Sequence, residues 1–126
     1  VIAHGLRELC DHPDDWEYLA EHPEGIDSAV EEMIRWVTPL NNMFRTAAID
    51  TEIAGTKIAA GDRLALVYPA ANRDPEVFDE PDVFDIRRSP NHHIAFGLFP
   101  RRQTGTAIAH AGKCKISPSL YSVRVA

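Results

Sequence analysis

The sequence predicts a mixed α+β fold, mainly α with small β elements: helix through the first 40 residues, short strands between residues 44 and 68, and loop thereafter. Three observations predict it. Apolar residues recur at helical spacing up to Val37, the period changes after Pro39, and prolines at 75, 81 and 90 punctuate the later part of the chain.

Ile2, Leu6 and Leu9 share one helical face, so residues 1–9 read as a helix. No capping residue precedes it, and a domain rarely begins inside a helix, so the chain reads as a fragment. Asp11-His12-Pro13-Asp14-Asp15 punctuates. Pro13 suits a first helical position, where its missing N–H costs nothing, and the acids favour the positive helix start, so a short helix is expected over residues 13–21. His22-Pro23-Glu24-Gly25 ends it. The best-marked helix spans residues 28–37, with Val30, Met33, Ile34 and Val37 forming an apolar stripe, Asp27 or Ser28 as cap and Pro39 as stop.

Residues 49–58 read as a hairpin turning near Ala54-Gly55, Gly61-Asp62 as a second turn, and residues 63–68 as a strand. Residues 70–74 suit one helical turn. Residues 75–91 hold Phe78 and Phe84 among the prolines and read as an ordered meander pinned by aromatics. From Leu98 the chain turns basic and loses clean periodicity, which divides it into a core of residues 1–97 and a divergent or frame-shifted tail of residues 98–126.

Composition narrows the function classes. With 126 residues, 44% hydrophobic and 25% charged, the chain suffices for one domain and one core. The net charge of −6 and the lack of a basic stripe argue against nucleic acid. No apolar run approaches the ~20 residues that span a bilayer, and no signal peptide opens the chain, so a cytoplasmic protein is expected. Cys10 and Cys114 are far apart and outside any paired motif, which points to neither a disulfide framework nor a metal site.

Four short features carry chemistry. Glu32-Met33-Ile34-Arg35 places an acid and a base three apart on one helix face, where they can pair. The second is Phe44-Arg45-Thr46-Ala47. Next come Ala71-Asn72-Arg73-Asp74-Pro75-Glu76-Val77-Phe78 and Pro81-Asp82-Val83-Phe84-Asp85, and then Ser89-Pro90-Asn91-His92-His93-Ile94-Ala95-Phe96-Gly97. Each alone has a bland reading, as a solvated ion pair, a surface arginine, a turn-rich loop and adjacent histidines that point apart in a strand.

In this order and spacing the four features resemble the C-terminal core of bacterial cytochromes P-450. The resemblance implies a mostly helical prism with small sheets, and heme between a long central helix and a cysteine-bearing loop. Glu32 and Arg35 would join a buried salt-bridge network whose third partner is an arginine of the meander. In many members that arginine falls near Val83, which is not charged, and this leaves Arg88 or Arg87. Leu40, Asn41, Asn42, Met43 and Phe44 would line the substrate pocket. Arg45 and His93 would hold heme propionates, with Phe96 also on the cofactor side. A carboxylate suits arginine's bidentate fork.

Where the family's heme loop carries its ligating cysteine, this chain has Gln103, with Phe99 and Arg101 in place of the usual glycine and histidine. A neutral amide does not replace a thiolate, so the resemblance leaves no catalytic or metal-ligating residue in this chain. The family's acid–threonine pair would precede Val1. The parent activity implied is hydroxylation of a small hydrophobic substrate with O2 and two electrons from a ferredoxin-type donor, this chain being inactive alone. The stretch RWVTPLNNMFRTA resembles members that oxidise sterol side chains and other lipids. Two other readings stand beside it: a non-enzymatic module binding heme (through His92, His93 or His110) or another hydrophobic ligand, and a non-functional pseudogene product.

Overall fold

A computed structural model describes residues 1–97 and the two-residue strand Tyr121–Ser122. Three helices open the chain: α1 (Ile2–Asp11), α2 (Pro13–Glu21) and α3 (Ile26–Val37), the last entered through a 3-10 turn at Pro23–Gly25. Pro13 sits in the first turn of α2 with Asp14 and Asp15, as the positive helix end favours. His12 and His22, at φ −124° and −125°, break the helical path and are each followed by the proline that starts the next turn.

Two expectations for these helices are corrected. Neither Asp27 nor Ser28 caps α3. The 3-10 turn feeds directly into it, so it starts at Ile26 with Gly25 at the cap position, and Ser28 Oγ instead donates to Arg88 O at 3.4 Å. Nor is the stripe of Val30, Met33, Ile34 and Val37 the most enclosed side. Ala29, Glu32 and Arg35 are buried, while Val30 is 43% exposed, because the meander covers the face that carries the charges. On α1 only Leu9 of the three aligned apolar residues is buried, with Ile2 and Leu6 exposed. α1 crosses α3 at Gly5, where an added Cβ would lie 2.6 Å from Met33 Sδ and 2.9 Å from its Cβ. The crossing therefore requires a residue without a side chain.

α3 ends at Thr38 in the left-handed region (φ +42°), its N–H returning to Ile34 O at 2.9 Å, and Pro39 then bars continuation. Strand β1 (Asn42–Thr46) pairs antiparallel with β4 (Arg63–Val67), from Asn42 opposite Val67 to Thr46 opposite Arg63. β5 (Tyr121–Ser122) lies on the other side of β4. Between β1 and β4, β2 (Thr51–Ile53) and β3 (Thr56–Ile58) form a separate hairpin whose turn residues, Ala54 and Gly55, both have positive φ, the geometry of a tight hairpin turn matched to strand twist. β4 stops one residue earlier than its periodicity predicts. Tyr68 and Pro69 open the one-turn helix α4 (Tyr68–Ala71), so the helical turn expected at 70–74 comes two residues early. Pro69 cannot donate to a strand ladder but fits a first helical turn.

Three apolar clusters hold these parts together. Leu9, Ala29, Phe84 and Ile86 join the helices to the meander, with Trp36 and Met33 against them. Tyr68, Ala71 and Ile94 join α4 to the segment before Gly97, with Met43 and Leu66 against them. Ala47, Ile58 and Leu64 join hairpin and sheet. Phe78 and Phe84, 3% and 6% exposed, fix the meander. The helices with small antiparallel sheets make a mixed α+β architecture.

Candidate functional site

The buried charge at the centre of the molecule comes from one turn of α3. Arg35 clasps the Glu32 carboxylate with two hydrogen bonds of 2.7 Å each, Nε to Oε2 and Nη2 to Oε1. Its other N–H groups leave the helix: Nη1 donates to Asn72 O at 2.8 Å and Pro81 O at 2.9 Å, and Nη2 to Val83 O at 3.1 Å. A guanidinium has five N–H donors, and all five are used. Both side chains are fully enclosed, and the rings of Phe78 and Trp36 lie 5.3 and 5.6 Å from the Arg35 guanidinium carbon.

Arg88 is the second cation. Its Nε lies 3.2 Å from Glu32 Oε2, and its Nη atoms donate to the carbonyls of Asp79, Glu80 and Val83. Arg87 turns away, its guanidinium stacked 3.9 Å from the Tyr18 ring. Glu32 also accepts from Asp85 N at 3.0 Å and Asn91 Nδ2 at 3.0 Å. Burial pushes its carboxyl up, but the Arg35 hydrogen bonds, the Asp85 N–H and the two guanidinium charges outweigh that and hold it below the ordinary carboxylate value.

A polar relay runs from this network to the segment before Gly97. Thr38 Oγ1 donates to Arg35 O at 2.6 Å and accepts from Asn72 Nδ2 at 2.8 Å; Asn72 Oδ1 accepts from Ile94 N at 2.8 Å. Thr38, at 2% exposure, and Asn72, at 0%, are enclosed. Sequence reasoning assigned neither a role. The available signals were a threonine immediately before a proline and an asparagine opening a turn.

This relay places His93 and Phe96. The His93 side chain is 9% exposed, and its Nε2 lies 2.7 Å from Glu31 Oε2. Its Nδ1 lies 3.3 Å from Ala95 N, and the Phe96 ring stands edge-on at 6.2 Å. Phe96 itself is 52% exposed. His92 and His93 lie in irregular backbone and not in a strand. Across the same cluster, Met43 of β1 packs against the group containing Ile94. Alternation puts Met43 and Arg45 on one face of β1, and Arg45 is exposed, with Nη1 donating to Phe44 O. Of the pocket candidates, Leu40, Asn41, Asn42 and Phe44 are exposed, with Arg63 4.8 Å over the Phe44 ring, whereas Met43 is half-buried. Gln103, Phe99, Arg101, His110 and Cys114 lie outside the described residues.

Among the described residues, no three His, Cys, Asp or Glu side chains converge on a metal site. No described helix is long and apolar enough to cross a membrane. The donors present suit carboxylates: Arg45 offers an exposed guanidinium, and His93 already holds one carboxylate oxygen at hydrogen-bond distance.

The family model described as cytochrome P-450 matches residues 22–110. A steroid C26-monooxygenase of Mycobacterium tuberculosis is 42% identical over 125 residues, covering 99% of this chain and 32% of that protein. Linalool 8-monooxygenase of Pseudomonas putida is 43% identical over 124 residues, covering 98% and 30%. Among solved structures, a Mycobacterium marinum cytochrome P-450 in complex with pseudoionone superposes with a TM-score of 0.74 at 38% identity, covering 86% of this chain and 26% of that one. The cytochrome P-450 BioI in complex with hexadec-9Z-enoic acid ligated acyl carrier protein gives 0.73 at 39%, covering 88% and 28%. The chain therefore spans about a third of the length of the curated relatives it matches.

Proposed function

The chain belongs to the cytochrome P-450 family, and from that premise we propose that it supplies the part of a heme-dependent monooxygenase that frames the cofactor without completing it. The observation that carries this reading is the relay from Arg35 through Thr38 and Asn72 to Ile94. It ties the segment bearing His93 to the same cluster that seats β1, the strand bearing Arg45. Arg45 and His93 would hold the heme propionates, and Phe96 would pack beside them. When bound, heme supplies the oxygen activation for hydroxylation. This chain's own residues supply anchoring charge and a rigid wall. Glu32, Arg35 and Arg88 lock the meander to α3, so the cofactor side is shaped before any ligand arrives.

Gln103 stands where the family's thiolate belongs, so the chain is proposed to be inactive alone. The complete reaction is proposed to insert one oxygen atom into a small hydrophobic substrate, in the cytoplasm, with electrons from a ferredoxin-type donor. The relatives named for a steroid and for linalool support an apolar substrate class, as do the exposed Leu40, just before β1, and Phe44, within it.

The test is heme titration of the purified chain followed by the reduced carbon-monoxide difference spectrum. The expected result is heme uptake that weakens in Arg45→Ala and His93→Ala, with no strongly red-shifted thiolate band and no hydroxylated product. A thiolate-type band overturns the inactivity, and uptake indifferent to both substitutions overturns the assignment of the anchoring pair.

A further inference from the structure

We infer that Glu31 is a positioning residue for His93: its carboxylate occupies the imidazole donor that a ligand carboxylate would use, so carboxylate binding at His93 proceeds by exchange with Glu31. The carboxylate in question is a heme propionate, and to that extent the inference rests on the function proposed above.

Hydrogen-bond geometry assigns a role to each ring nitrogen of His93. The Ala95 N–H points at Nδ1 across 3.3 Å, so Nδ1 acts as acceptor. Nε2 lies 2.7 Å from the Glu31 carboxylate oxygen and acts as donor. Both ring nitrogens are therefore engaged, and no N–H remains for a second carboxylate.

The two partners differ in how firmly they are held. His93 is nine-tenths enclosed and sits between Ile94, whose N–H is bound by Asn72, and the Phe96 ring. Glu31 is 44% exposed, on a long side chain at the outer flank of α3. Its neighbour Glu32 is enclosed by two arginines and has no freedom to move. Glu31 is thus the partner that can leave, because water can solvate its carboxylate when it swings out. His93 stays where the backbone puts it. Adjacent acids on α3 do different work: one locks the fold, the other holds a place on the cofactor side.

Exchange predicts that removing Glu31 makes His93 easier for an external carboxylate to reach. A charge-assisted hydrogen bond to a half-exposed partner corresponds to about a tenfold change in midpoint. The probe is sodium propionate, monitored by NMR of the full chain labelled at histidine. Wild type is expected to show a protected His93 Nε2–H signal that propionate perturbs only at high concentration. In Glu31→Ala the same perturbation is expected at about tenfold lower concentration, and in Glu31→Gln, which keeps a neutral acceptor, between the two. Helix content by circular dichroism checks that both variants fold. Equal propionate midpoints in wild type and Glu31→Ala overturn the inference, as does a solvent-exchanging Nε2–H in wild type. Heme titration of the same proteins reports separately: uptake by neither, with the propionate shift intact, overturns the heme reading and leaves the exchange standing.

Discussion

Replacing Arg35 with methionine removes the guanidinium and leaves most of its volume. Glu32 would remain fully enclosed, with Arg88 Nε at 3.2 Å, Asp85 N and Asn91 Nδ2 as its remaining partners. Breaking a buried ion pair from one side costs about 3–5 kcal/mol. Asn72 O and Pro81 O would each lose the donor Arg35 gives them, at about 1 kcal/mol apiece at the low end. Val83 O would keep Arg88 Nη2 at 3.0 Å. These contributions share partners and do not add fully, so the expected loss is about 5 kcal/mol, comparable with the whole stability of a small domain. Urea unfolding monitored by tryptophan fluorescence measures it. Of the two tryptophans, Trp16 is 52% exposed, and Trp36 is the one whose surroundings change on unfolding, edge-on to Phe84 at 5.7 Å and 4.0 Å beneath the Arg73 guanidinium. The double variant Glu32→Gln with Arg35→Met is expected to recover about 2 kcal/mol, because the stranded carboxylate is gone and the remaining cation, Arg88, keeps the carbonyls of Asp79, Glu80 and Val83 as acceptors. A single-variant loss below about 1 kcal/mol, or a double variant weaker than the single, would refute the reasoning that this pair closes the meander on α3.

The same geometry sets other outcomes. The Glu32 carboxyl titrates below its ordinary value of 4.5, so its share of stability is present above that pH and is lost as pH falls through the folded value; acid unfolding of Glu32→Gln should lack that share. Asn72→Ala leaves Ile94 N–H without its acceptor and Thr38 without its donor, and should cost about 2–3 kcal/mol with loss of amide-exchange protection at Ile94. Gly5→Ala, despite alanine's better helix propensity, should destabilise by about 1–3 kcal/mol in thermal unfolding, because Met33 Cβ stands 2.9 Å from the new methyl. Gly55→Ala meets open space but is held at φ +78°, so it should cost about 1 kcal/mol through backbone strain alone.

Local signals carried much of the fold. Proline and acids marked α2 from Pro13 to Glu21, and the small turn residues at Ala54-Gly55 marked the hairpin. Where tertiary packing decided, the sequence was silent. The apolar spacing of α3 indicates a helix but not which side is covered, and the meander covers the charged side. The three-residue spacing of Glu32 and Arg35 puts them on one face. Their enclosure depends on carbonyls contributed from Asn72 to Val83, which no local pattern announces. Thr38 gave no warning either, since a β-branched residue rarely adopts positive φ. The pairing of Glu31 with His93 joins positions 62 apart in sequence, beyond the reach of any periodicity.

The two arginines at the heart of the molecule grip main chain almost everywhere they reach beyond α3. Arg35 takes the carbonyls of Asn72, Pro81 and Val83, and Arg88 those of Asp79, Glu80 and Val83. Such a clasp reads the course of the chain and is blind to its lettering. Apart from Asp82, which pairs with Arg73, and Glu80, held at φ +45°, the side chains of residues 79–83 are therefore less constrained than their spacing, and a single-residue insertion or deletion there would move the carbonyls of Pro81 and Val83 out of register with those of Asn72 and Asp79. The meander tolerates rewriting better than re-spacing.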